Sequence, residues 1–227
     1  MRLFSRLPRT PSELSDSLYR QLNAYALAAS AAGAGMLVLP QTASAKIVYT
    51  PADVHIVGSY YLDLNHDHIP DFSLWKYYFA CCYDGVSLLG VTPKTRNNGV
   101  RSGGSGWAAA LPKGARIGST GVFATISRYM AIVGHDYQRL YGGGPWTGDT
   151  VAYLGLKFQI KGKVHYGWAR LHVVAHLTGQ VEHPLIKATL TGYAYETVPN
   201  KAIVAGKKHG EDDDDAPALG RLALGRK

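Results

Sequence analysis

Cysteine is almost missing from this sequence: of 227 residues, only Cys81 and Cys82 carry a thiol. Adjacent cysteines cannot staple distant segments together, which excludes a disulfide scaffold. The pair reads either as a vicinal disulfide or as two small strand-end thiols. Charge is also sparse, at 18% of residues, with 24 Lys and Arg against 16 Asp and Glu. The basic residues are scattered from Lys76 to Arg170 without a dense run, so nucleic acid is not an expected partner. The remaining mild excess of positive charge suits anionic polymers or a cell surface. No Gly-x-Ser-x-Gly elbow, His-Glu-x-x-His pair or phosphate-binding glycine loop is present, and no catalytic residues are assigned.

What is present begins with a leader. Arg2, Arg6, Arg9 and Arg20 face only Glu13 and Asp16, and an uncharged stretch then runs from Gln21 to Ala45 through Met36-Leu-Val-Leu39. Pro40 stops a helix there, and Ala43-Ser44-Ala45 places small residues where a signal peptidase needs them. The expectation is a signal peptide over 1–45, cleaved between Ala45 and Lys46. The stretch from Ala24 to Leu39 falls short of the roughly 20 apolar residues that span a bilayer, and no later run is longer. The mature chain is therefore expected to be exported without a transmembrane segment, as one domain over 46–206 followed by a disordered tail over 207–227. That tail holds the acidic run Glu211-Asp-Asp-Asp-Asp215.

Gly (26) and Tyr (15) are abundant, and apolar residues recur at period two between Gly, Pro and Asn clusters. These are strand and turn signals. Strands are predicted at 46–50, 55–64, 72–79, 86–91, 122–126, 151–160, 164–174, 187–197 and 202–204. The clearest hairpin joins Leu154–Ile160 to Val164–Val173 through Lys161-Gly162, where glycine can supply positive φ. With no convincing helix, the fold class is all-β, an antiparallel β-sandwich of jelly-roll-like or similar form. The glycine-rich stretches around Thr95–Gly121 and Gly142–Trp146 read as long loops.

One segment carries chemistry. Asp63-Leu-Asn65-His-Asp67-His-Ile69-Pro-Asp71 sets oxygen-bearing side chains at positions 1, 3, 5 and 9, with the Ile69 carbonyl at position 7. Hard cations such as calcium take several oxygen ligands, and three carboxylates offset a dipositive ion. The metal ligands expected are Asp63, Asn65, Asp67, Ile69 and Asp71. The alternative without an ion is an Asx-rich turn between strands. A third reading uses His66 and His68, with His55, to hold zinc or copper. The segment resembles the calcium loops of FG-GAP and thrombospondin-type repeats, except that His68 stands where they place glycine, at a turn that favours positive φ.

Trp107 and Trp146 in the loops, with Tyr166 and Trp168 along a strand, are candidate sugar-binding aromatics; Tyr193 and Tyr195 lie in the same kind of pattern. Glu182 with His183, and Glu196, are the carboxylates that a glycoside hydrolase would need. Tyr153-Leu-Gly-Leu-Lys-Phe, His165-Tyr-Gly-Trp-Ala-Arg-Leu171 and Gly192-Tyr-Ala-Tyr-Glu-Thr197, together with the acidic loop, resemble a group of uncharacterised exported bacterial proteins related to PEP-CTERM-type surface proteins. That resemblance implies secretion or retention at the cell envelope and brings no activity. The expected function is a noncatalytic exported β-sandwich with a structural calcium loop. The alternative is an extracellular carbohydrate-binding module facing a polysaccharide or cell-surface polymer, and a secreted hydrolase comes third.

Overall fold

The computed structural model describes residues 46–81, 84–136, 139–176 and 186–210. The expected leader over 1–45, Cys82, Glu182, His183 and the acidic run lie outside the described residues, as does the side chain of Cys81. Among the described residues thirteen strands follow one another: β1 Ile47–His55, β2 Ser59–Leu62, β3 Phe72–Cys81, β4 Asp84–Pro93, β5 Gly99–Arg101, β6 Arg116–Ile117, β7 Phe123–Ala124, β8 Arg128–Asp136, β9 Arg139–Gly143, β10 Gly148–Ile160, β11 Lys163–Ala175, β12 Lys187–Glu196 and β13 Ile203–Val204. The described chain is all-β, and it contains no helix long and apolar enough to cross a membrane.

Two antiparallel sheets form the sandwich. The first runs in the order β1-β12-β11-β10-β5-β7, the second β2-β3-β4-β8-β9. Leu62, Phe72, Leu74, Leu89, Val91 and Val133 from the second sheet meet Leu154, Leu156, Phe158, Leu171, Val173 and Leu190 from the first in one buried core. The alternation of each strand supplies these inward side chains.

The β10–β11 hairpin forms as its sequence dictates. Ile160 pairs with Lys163 across a two-residue turn. Both turn residues are left-handed, Lys161 at φ 49° and Gly162 at 76°, the backbone that matches strand twist in a tight hairpin.

Several strands differ from expectation for identifiable reasons. β1 continues through Pro51, where a break was expected, because it is an edge strand with a bulge between Pro51 and Val54. The single strand expected over 55–64 is two, since the chain leaves the first sheet after His55 and enters the second at Ser59. β8 had no clean period-two signal. A bulge opposite Leu89 and Gly90 lets consecutive Met130 and Ala131 both face inward. β9 takes up part of the expected Gly142–Trp146 loop.

A third, small layer covers the first sheet from outside. β6 pairs with β13, and Ile117, Ile203 and Ala205 bury Tyr153, Tyr166 and Trp168 beneath them. This end of the first sheet is thus apolar on both faces.

Candidate metal loop and the aromatic faces

The loop from Asp63 to Asp71 joins β2 to β3. Its base is closed by Leu62 pairing with Phe72 and by the Asp71 amide donating to the Leu62 carbonyl at 2.9 Å. Fully buried Leu64 anchors the loop where Gly167 leaves room beside its side chain.

Asp71 is the innermost acid, 7% exposed. Its Oδ2 accepts the Leu64 amide at 3.0 Å, and Oδ1 faces the Asn98 side-chain amide at 3.4 Å. Asn98 also donates to the Asp71 carbonyl at 3.0 Å. Burial raises the Asp71 carboxyl from 3.8 to about 6; the negative charges of Asp63 and Asp67 push the same way, while the bonds from Leu64 and Asn98 oppose.

The outer acids fold back on the loop. Asp63 accepts the amides of Asp67 at 3.3 Å and His68 at 2.7 Å. Asp67 accepts the Ile69 amide at 2.9 Å and the Asn65 side-chain amide at 2.8 Å. The Asn65 Oδ1 atom is buried with no hydrogen-bond partner. His66 and His68 take left-handed backbone, at φ 59° and 69°. The turn expected at position 6 is therefore present, carried by a histidine.

The loop also touches β12. His66 Nε2 lies 3.0 Å from the Tyr193 hydroxyl, with the two rings stacked at 5.8 Å. The phenols of Tyr193 and Tyr195 are raised, first by burial; Asp63 adds to both and Tyr60 to Tyr193.

These groups can act as an Asx turn, and they place three carboxylates, one amide oxygen and the Ile69 carbonyl on one short loop. Among the described residues no group of three or more His, Cys, Asp or Glu side chains is already gathered for a metal ion. His55 and His66 are engaged separately, His55 Nδ1 with Thr189 Oγ1 at 2.9 Å and His66 with Tyr193.

The aromatic candidates fall differently from expectation. Trp146 is 0% exposed in the sandwich core, its indole N–H donating to the Ala108 carbonyl at 3.1 Å. Trp168 is 1% exposed between Tyr49 and Tyr153, and Tyr166 is buried with it. None of the three offers a ring face to a sugar, because the β6–β13 layer and the core cover them. Trp107 alone is partly open, its ring edge-on to Tyr129 at 6.3 Å.

The open aromatic surface is the outer face of the second sheet, which sequence reasoning missed. Trp75, Tyr77 and Phe79 alternate along β3 opposite Gly90, Leu88 and Val86 of β4. Trp75 lies over Gly90 and Tyr141 lies over Gly134, each where a β-carbon would collide with the ring. Trp75 stacks with Tyr77 at 5.4 Å and meets Tyr129 edge-on at 5.7 Å. Phe79 is 58% exposed, and Tyr61, Tyr77, Tyr129 and Tyr141 are each about half exposed. The signal was the period-two run Trp75-Lys-Tyr-Tyr-Phe79 next to strands whose glycines stand opposite rings.

Glu196 is buried at the end of β12. Its Oε1 accepts the Val198 amide at 3.0 Å, and its Oε2 lies 4.0 Å from the Lys201 ammonium. It caps the turn that follows the strand. The first residues of the expected tail are held, with the Lys208 ammonium 4.3 Å from the centre of the Tyr49 ring. Comparison with family models, curated proteins and solved structures returns no match.

Proposed function

We propose that this chain is a noncatalytic exported protein whose Asp63–Asp71 loop binds calcium and ties β2 to β3. The observation that carries the reading is Asp71. A buried carboxyl held near 6 by burial and by two neighbouring acids gains most from a cation. The orphaned Asn65 oxygen is a further acceptor awaiting a partner. Binding requires Asp63 and Asp67 to exchange loop amides for the ion, while the left-handed turn at His68 already has the backbone that such loops use. Export to the bacterial surface or medium, where calcium is plentiful, rests on the leader and on the resemblance to PEP-CTERM-related proteins. Calorimetric titration with calcium tests the site. One equivalent should bind to the wild type and none to Asp67→Ala; equal binding by both, or none by the wild type, overturns it.

Carbohydrate binding is the second reading, and the aromatic outer face of the second sheet favours it. Rings lying over glycines present flat faces to solvent, and such faces stack on the C–H groups of sugar rings. The hydroxyls of Ser59 and Tyr77, hydrogen-bonded to each other at 3.1 Å, lie beside them with further donor and acceptor capacity. Co-sedimentation with insoluble polysaccharides should be lost in Trp75→Ala and Tyr77→Ala. Retention of polysaccharide by both variants would remove this reading.

A further inference from the structure

A cleft of about 350 Å³ opens at the other end of the first sheet, away from the calcium loop. Its floor is apolar, built from Ile56 and Val174, and cationic or cationisable side chains ring it: His55, Lys76, His172 and Lys187. They come from four strands of both sheets. The register brings His55 beside Thr189, His172 opposite Thr189 and Val174 opposite Lys187, so the side chains from the first sheet share one face.

Lys76 is the unusual member. It reaches from β3 to donate to the Ile186 carbonyl at 3.2 Å, just before β12. Among the described residues no carboxylate pairs with Lys76 or Lys187. An ammonium has three donors, and the Ile186 carbonyl takes one of them. Partial burial lowers the Lys76 pKa.

The other charges at the site do not cancel this. His172 Nε2 bonds Asp149 Oδ1 at 2.7 Å, and Asp149 does not itself line the cleft. His55 uses Nδ1 toward Thr189, leaving Nε2 as its other ring nitrogen. The volume lies at the lower end of the range for small-molecule sites, and an apolar floor with a few polar groups at the rim is their usual make-up.

We propose that this cleft binds a small amphipathic anion, a carboxylate or sulfonate on an apolar body, with the acid group on Lys76 and Lys187 and the apolar part on Ile56 and Val174. The acid supplies a counter-charge that no described residue gives Lys76 or Lys187, and the body covers the floor. Alkyl and aryl acids share this chemistry, and the experiment separates them.

The full chain is titrated calorimetrically with decanoate and with naphthalene-2-carboxylate, beside the uncharged naphthalene-2-carboxamide. One equivalent of at least one acid should bind, at least tenfold more tightly than the amide; whichever acid binds better identifies the body. Lys76→Met keeps the aliphatic stem and should weaken binding about tenfold. Lys187→Gln, at an exposed position that folding tolerates, should weaken it severalfold and decides the matter should Lys76→Met fail to fold. Lys157→Gln, on β10 outside the cleft, should bind like the wild type. Binding of neither acid, equal binding of acid and amide, or wild-type affinity in the Lys187→Gln and folded Lys76→Met variants overturns the proposal. A calcium-free preparation giving the same result keeps this test independent of the metal loop.

Discussion

Replacing Asp71 by asparagine separates the cost of a buried charge from the work that charge does on an ion. In the folded, calcium-free protein the carboxyl is raised from its ordinary 3.8 to about 6 by burial, assisted by Asp63 and Asp67. Between those values the folded state holds a proton that the unfolded chain has released, so stability falls as pH rises through the window from about 4 to 6. Below it, both states are protonated and nothing is lost. Above it, the folded state carries the full penalty, about 3 kcal/mol for a gap of about two pH units. Screening by water at the loop's exposed rim trims this to about 2 kcal/mol. Asparagine removes that penalty but opposes its own amide to that of Asn98, a loss of about 1 kcal/mol. With chelator at pH 8, Asp71→Asn should therefore be about 1 kcal/mol more stable than the wild type; at pH 4 it should be about 1 kcal/mol less stable. Calcium reverses the first result, since at a hundred times its Kd an ion stabilises the wild type by about 2.7 kcal/mol and should add little to the variant. Urea unfolding at both pH values, with and without calcium, reads all four numbers. A variant less stable than the wild type throughout the chelated series would refute the buried-charge reasoning. An equal gain from calcium in both proteins would refute the role of Asp71 as a ligand.

Other substitutions probe the turn, the aromatic face and the double-sided sheet. His68→Gly relaxes a side chain held at φ 69° and should stabilise the calcium-free protein by about 0.5–1 kcal/mol while tightening calcium binding; unchanged thermal unfolding would mean the turn is unstrained. Gly90→Val places side-chain carbon in the Trp75 ring, so the indole must lift and its fluorescence shift, at a cost of about 1–3 kcal/mol in urea unfolding. Trp168→Ala should cost about 3–5 kcal/mol, because the indole is packed under the β6–β13 layer; a loss below 1 kcal/mol would show that the layer contributes little.

The long strands and the tight hairpin were legible because local sequence alone decides them. Alternating apolar residues over Val151–Ile160 and Val164–Val174, with Lys161-Gly162 between, admit one pairing, and the structure has it. The acidic loop was legible in the same way, since its residues are neighbours in the chain and its turn geometry is local. What escaped depends on partners distant in sequence. β8 lost its alternation to a bulge set by β4, and β1 ran through a proline because it lies at an edge. Neither fact is written in the strand itself.

The aromatic residues show the same limit most sharply. Trp75 and Trp168 each lie in a strand of alternating rings, and nothing local distinguishes them. Their fates are set by what lies across the sheet. Trp168 is closed over by Ile117, Ile203 and Ala205, the short pair β6–β13 and the residue after it being enough to bring a cover into place. Trp75 meets no such layer among the described residues, and opposite it stands a glycine that lets the ring lie on the sheet. A glycine across from a ring on a strand pair therefore carries information that ring spacing does not. A side chain at Gly90 would lift the indole off the sheet, so the glycine preserves a ring lying along the surface. The open aromatic face is thus written in Gly90 and Gly134 as much as in Trp75 and Tyr141, and it becomes readable only once β3 is paired with β4 and β8 with β9.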